Sequence, residues 1–184
     1  MNFDAFSHGQ IQSKIWLCEE LETHTPIHAN IRILGSWYNI LAFMLLTRRP
    51  EYYYNSIEGI DIDPDAIKTS YSITDAWRFD PSIVTNTVAD ANTLTYNNID
   101  LVINCSPEHM IGDQWWQQIP WGTLVCIQTS NMIDTNAPWY IKTPHPSMES
   151  FREKYLLSRT LFAGTKRIQY ADWGYDRYMI IGFK

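Results

Sequence analysis

Glycine is scarce where a nucleotide-binding chain would concentrate it. In residues 31–50, IRILGSWYNILAFMLLTRRP, an apolar strand-like run gives way to Gly35, Ser36, Trp37, Tyr38 and Asn39 before a helical pattern begins, and no second or third glycine follows Gly35. Glycines at such a turn let the backbone approach a pyrophosphate and deliver it to a helix N-terminus. A tryptophan here closes that space and argues for a nucleoside ligand without a diphosphate, or for an ordinary turn with a core tryptophan. Positive charge is also short: 14 Lys and Arg stand against 20 Asp and Glu, a net charge of −6. Such a chain carries no broad basic footprint, so a nucleic-acid partner is not favoured, local pairs such as Arg48-Arg49 and Lys166-Arg167 notwithstanding. The three cysteines, Cys18, Cys105 and Cys126, have no CxxC spacing, which excludes a disulfide framework and a zinc site and points to a reducing compartment. The longest apolar run, residues 40–46, is too short to span a bilayer. The opening MNFDAFSHGQ lacks the basic and apolar regions of a secretory signal. A cytoplasmic protein is expected.

No internal repeat, low-complexity segment or linker divides the 184 residues, so a single domain over 1–184 is expected, and 8 Trp, 11 Tyr and 7 Phe supply bulk for its core. Residues 6–22 suit a helix that Ser7 can cap, with Ile11, Ile15 and Trp16 or Leu17 recurring on one face. A strand at 31–34 and a helix at 37–48 follow, then a strand at 56–62 reading SIEGIDI. Asp63-Pro64 is a strong helix start, and that helix runs to about Trp77. Further strands are expected at 84–89, at 100–104 and at 123–128, the last two almost wholly apolar, as doubly covered parallel strands are. Beyond a proline-containing loop, a helix fits 147–156. The β-rich runs 160–170 and 175–183 are close enough to form a hairpin.

β/α units followed by a terminal hairpin, together with the GIDIDP and NCSPEHM segments, resemble the class I S-adenosylmethionine-dependent methyltransferases over about residues 30–184. The resemblance implies a Rossmann-like, doubly wound α/β fold. Its mostly parallel seven-stranded sheet would end in a C-terminal antiparallel hairpin, and residues 1–29 would form an N-terminal helical lid over the 30–184 core. It also implies S-adenosylmethionine as cofactor, with the loop Gly35, Ser36 and Trp37 around its methionine part. The single glycine departs from that family's usual GxGxG.

GIDIDP, residues 59–64, carries the strongest binding signal. An acid at the carboxyl end of a second parallel strand can accept from both ribose hydroxyls, in the crevice where open α/β sheets bind ligands. Asp61 stands where the resembling family has its ribose-binding acid, with Ile62 beside it, while Asp63 reads as a helix N-cap. Asp90 and Ala91 occupy the position of the family's adenine contacts, though ADANT is equally rich in turn formers. NCSPEHM, residues 104–110, would face the transferable methyl group. It is not the (N/D)PP(Y/F) tetrad of enzymes that methylate nucleic-acid amines.

Asn104, Glu108 and His109 are the catalytic candidates, with Asn104 also a cofactor contact. His109 is the preferred base because imidazole ionises near neutrality. Glu108 as a helix cap and His109 as a loop histidine are the plainer alternatives. No metal site is expected, since no third ligand with recognisable spacing follows Glu108 and His109, although His8, Asp113 and His145 could converge in space. Trp115, Trp116, Trp121 and Trp139 fall near the expected rim, with core packing the default for each, and Gln10, Gln12 and Lys14 sit on the lid helix. Methyl transfer to a small-molecule acceptor is the expected function. A non-catalytic cofactor-binding module and another S-adenosylmethionine-consuming enzyme are the alternatives.

Overall fold

A computed structural model describes residues 2–133, 141 and 143–184. A 3-10 turn, Phe3–Phe6, leads through Ser7 into α1, His8–Leu21, and then to β1, Ala29–Leu34. α2 spans Ile40–Arg48, β2 Tyr54–Asp61, α3 Pro64–Trp77 and β3 Val84–Val88. β4, Leu101–Asn104, a short α4, Gln114–Gln118, and β5, Leu124–Ser130, follow. α5, Met148–Lys154, precedes β6, Arg159–Gln169, and β7, Gly174–Phe183. No helix among the described residues is long and apolar enough to cross a membrane.

The strands form one seven-stranded sheet in the order β3-β2-β1-β4-β5-β7-β6, with β7 alone running against its neighbours. β4 and β5 are buried at every position, as their apolar runs 101–103 and 124–127 suit, and the polar Asn104, Gln128, Thr129 and Ser130 are buried at their carboxyl ends. One face packs α1 and α2 through Trp16, Leu17, Leu21, Leu41 and Leu45 onto Ile31, Ile103, Cys126 and Met179. The other packs Tyr96, Trp115, Phe151 and Tyr155 onto Leu34, Val102, Val125 and Ile180. Both layers exclude water from the central strands and leave the loops at their carboxyl ends as the exposed working edge.

The local starts follow from chemistry already visible in the chain. Asp63 caps α3 by accepting from the Asp65 amide at 2.9 Å, with Pro64 in the first turn. Ser147 and Ser150 reciprocate in a capping box at the start of α5. α2 begins at Ile40, three residues later than the sequence pattern suggests, because Trp37 and Asn39 take left-handed backbone conformations that no helix admits. Between β3 and β4 the crossover is a 3-10 turn, Ala91–Thr93, with the buried Tyr96 filling the place of a packed helix.

Candidate active site

The loop after β1 is held in an uncommon shape. Gly35, Trp37 and Asn39 have φ of 60°, 51° and 52°, and a non-glycine residue there costs roughly 1–2 kcal/mol. Two hydrogen bonds from the end of β2 offset that cost. The Ser36 amide donates to the Ile60 carbonyl at 2.9 Å, and the Trp37 amide donates to Asp61 Oδ2 at 2.7 Å. Asp61 Oδ1 accepts from the Asp63 amide at 3.0 Å. A carboxylate offers about four acceptor sites, so two backbone donors orient Asp61 while each oxygen retains capacity for another.

Gly59 makes the loop's position possible. A Cβ at Gly59 would lie 2.5 Å from Asn39 Nδ2, so only glycine lets Asn39 reach Asn86 Oδ1, to which it donates at 2.8 Å. Gly35 is approached from the other side: a Cβ there would sit 3.4 Å from Met110 Cε and 3.5 Å from Ser106 Cβ. The β1 loop and the loop after β4 are therefore in direct contact. Ser36 Oγ and Asn39 Oδ1 are buried with no hydrogen-bond partner among the described residues. Native chains rarely leave such atoms unmatched without a reason.

Asp90 Oδ1 accepts from the Asn92 amide at 2.9 Å and from its Nδ2 at 3.1 Å, capping the turn that holds the buried Ala91. Asn92 in turn donates to the Ile111 carbonyl and accepts from the Trp115 amide, tying the β3 loop to the segment after β4. Ile62 and Ile111, 70% and 75% exposed, leave apolar side chains uncovered beside these acids.

Within NCSPEHM the side chains divide. Asn104 is fully buried, accepting from the Ser106 amide at 3.0 Å and donating to Met110 Sδ at 3.4 Å. Glu108 is 1% exposed and turns away from Gly35: Oε1 accepts from Arg177 Nη1 at 3.1 Å and Oε2 from Thr129 Oγ1 at 3.2 Å. Arg177 Nη2 also donates to the Cys105 carbonyl. His109 is exposed at the end of the 3-10 turn Pro107–His109. Gly35, Ser36, Trp37, Asp61 and Asn104 thus come together. Asp90 and Ala91 join them through Asn92, and Glu108 is drawn into an ion pair behind the loop.

Arg177 is the residue that sequence reasoning missed, although a lone cation in the apolar run YMIIGF and its approach was a usable signal. Lys14 on α1 lies within electrostatic range of Cys105 and Arg177, and burial pulls its ammonium pKa down to about 8. Burial pushes the Cys105 thiol up. Trp115 and Trp116 pack with Tyr155 beneath the sheet and away from the rim, and Trp121 lies beside the amino end of β5. Trp139 falls outside the described residues. His8 packs edge-on to Tyr170, whereas His145 packs against Phe151 and Tyr155. Among the described residues no three His, Cys, Asp or Glu side chains are grouped as metal ligands.

No protein-family model and no curated protein sequence matches this chain. Solved structures do. NodS, an N-methyltransferase from Bradyrhizobium japonicum WM9 in complex with S-adenosyl-L-homocysteine, superposes with a TM-score of 0.67 at 13% identity, over 94% of this chain and 87% of that one. Magnesium protoporphyrin IX methyltransferase (ChlM) from Synechocystis PCC 6803 with bound SAM gives a TM-score of 0.62 at 10% identity, over 93% and 76%. A Galdieria sulphuraria protein assigned as a sarcosine dimethylglycine methyltransferase gives 0.70 at 12%, over 95% and 86%. The fold is that of the class I S-adenosylmethionine-dependent methyltransferases. In this fold the carboxyl ends of β1, β2, β3 and β4 form a continuous edge, and the contacts above are the ones that shape it here. The concavity lined by Cys18, Leu45, Arg48 and Tyr54 lies at the opposite, amino-terminal edge.

Proposed function

We propose that the protein binds S-adenosylmethionine across this edge and transfers its methyl group to a small-molecule acceptor. The observation that carries the reading is Asp61, a carboxylate aimed by two backbone amides and still able to accept from ribose hydroxyls. The unmatched Ser36 Oγ, beside a glycine that keeps the loop open towards Ser106, is consistent with a polar ligand over Gly35. Ile62, Asp90 and Ala91 would hold the adenine, and Gly35, Ser36, Trp37 and Asn104 the methionine part. The cofactor supplies an electrophilic methyl group on a sulfonium. The chain's own task is then to orient the acceptor, keep water out and accept a proton where the acceptor carries one.

In this reading His109 takes the acceptor's proton. Glu108, with both oxygens engaged, acts as a positioning residue that fixes the Cys105–Ser106 backbone through Arg177. The three cysteines are free, in keeping with a reducing, cytoplasmic location. Fold alone does not fix function, so the test is turnover. Incubation of the full chain with S-adenosylmethionine and an acceptor panel should release S-adenosylhomocysteine, and His109→Ala should lower the rate by roughly 10²-fold or more while cofactor affinity holds, as expected for loss of a general base. Cofactor binding without turnover on any acceptor would favour a non-catalytic module. Cleavage of the cofactor without an acceptor would favour another use of the same ligand.

A further inference from the structure

Arg177 and Lys14 hold more positive charge than their surroundings answer. Arg177 is 8% exposed, and its Nη1 and Nη2 bond to Glu108 and the Cys105 carbonyl, but its Nε is buried with no partner among the described residues. A buried donor left unmade costs about 1–3 kcal/mol. Lys14, half-buried, donates to Gln10 Oε1 at 2.6 Å and has no carboxylate within ion-pair distance among the described residues. Asp4 is the carboxylate within electrostatic range of Lys14, and Glu108 is paired with Arg177.

The same patch is walled by aromatic rings. Tyr170 and Trp173 stack at 4.4 Å and 6°, and Tyr175 continues the series at 6.0 Å from Trp173. The α1 start is bound to this wall, because the Gly9 amide donates to the Tyr170 hydroxyl at 3.0 Å. Arg177 on β7 holds the Cys105 carbonyl, and the next residue of that loop, Ser106, borders Gly35. The patch therefore adjoins the place assigned above to the methyl group.

We infer that Lys14 and the Arg177 Nε–H form the binding subsite for a carboxylate on the acceptor, with the Tyr170, Trp173 and Tyr175 rings against the remainder of that molecule. This rests on the methyltransferase reading for the word acceptor, although the anion site stands on its own residues. Two cations and the Glu108 carboxylate leave one unanswered positive charge. A monoanion neutralises it, and a phosphate dianion would exceed it. Of the groups facing Lys14, Cys18 is pushed up to about 12 and Cys105 is pushed up by burial, and Tyr175, beside Arg177, is likewise raised. Arg177 faces Lys14 from β7, and the exposed Asp4 faces it from the turn before α1. Lys14 is thus the group that changes charge near pH 8, and carboxylate affinity should fall as pH rises through that value.

The test titrates the ¹⁵N-labelled full chain with acetate, acetamide and inorganic phosphate, with and without S-adenosylhomocysteine, following the Arg177 Nε and the Cys105 amide by NMR. Acetate should give saturable shifts, acetamide none, and phosphate no tighter binding than acetate. Lys14→Gln should weaken acetate binding roughly tenfold or more, the scale of one charge-assisted hydrogen bond, without altering S-adenosylhomocysteine affinity. Lys14→Arg should keep acetate binding and abolish its decline above about pH 8, which a purely structural lysine would not produce. Equal response to acetate and acetamide, tighter binding of phosphate, or acetate binding indifferent to Lys14→Gln would overturn the subsite. Failure of S-adenosylhomocysteine to bind the wild-type chain would instead overturn the cofactor reading, and the acetate arms without it would still decide the anion site.

Discussion

At the scale of residues, the same side-chain types divide by what surrounds them. Asp61 at the end of β2 and Glu108 in the loop after β4 are both carboxylates, but Asp61 is oriented by backbone amides and half-exposed, whereas Glu108 is buried against a guanidinium. The first keeps acceptor capacity for the proposed ribose contact, and the second holds a loop. His109 and His145 divide likewise. His145 is buried against Phe151 and Tyr155 with its Nε2 unpartnered among the described residues, and desolvation pulls its pKa down to about 4. The unfolded chain takes up this proton below about pH 6.5, while the folded chain excludes it until about pH 4, so stability falls as pH drops through that interval and is unaffected above it. The loss should approach roughly 2–3 kcal/mol. Denaturant unfolding at pH 7 and pH 4.5 should show it in the wild type, with a clearly smaller difference in His145→Phe. An undiminished difference in the variant would assign the acid sensitivity elsewhere.

At the scale of elements, the loop after β4 is fastened from a strand far along the chain. Arg177 on β7 reaches Glu108 across a separation of 69 residues, and Thr129 on β5 completes the clamp. Removing one partner of a buried ion pair strands the other charge, so Glu108→Leu should destabilise the chain by about 3–5 kcal/mol. The double variant Glu108→Leu, Arg177→Met should recover most of that loss. A denaturant midpoint for Glu108→Leu within error of wild type would mean that Arg177 finds solvent or another acceptor and that the clamp is weak.

How much was legible follows the same division. The sheet's elements could be read because each carries its own local signal: the capping Asp63-Pro64, the apolar runs 101–103 of β4 and 124–127 of β5, and the short turn between β6 and β7. The late start of α2 could not, because nothing in SWYN states that Trp37 and Asn39 will be held left-handed, the first by Asp61 on β2 and the second by Asn86 on β3. Nor could the Glu108–Arg177 pair, which exists only once β7 is inserted beside β5. Gly35 and Asp61 were legible as candidates by position. The reason that one glycine suffices, an aspartate bracing the backbone of a tryptophan, belongs to tertiary structure.

At the scale of the whole molecule, both layers of helices bury the sheet and turn one edge outward. There the loops of β1, β2, β3 and β4 are joined by Trp37–Asp61, Gly35–Ser106 and Asn92–Ile111 contacts. α1 and the β6–β7 hairpin close over one side of that edge through Gly9 and Tyr170. On the proposed function this edge is shaped for a nucleoside with a short charged arm and no diphosphate. Isothermal titration calorimetry of the full chain with S-adenosylhomocysteine and with NAD, repeated on Asp61→Ala, tests it most directly. The account predicts saturable one-to-one binding of S-adenosylhomocysteine, no binding of NAD, and a loss of roughly 1.5–3 kcal/mol in the Asp61→Ala variant, the range for hydrogen bonds to a charged group. Binding of NAD in preference to S-adenosylhomocysteine, or S-adenosylhomocysteine affinity unchanged by Asp61→Ala, would contradict it.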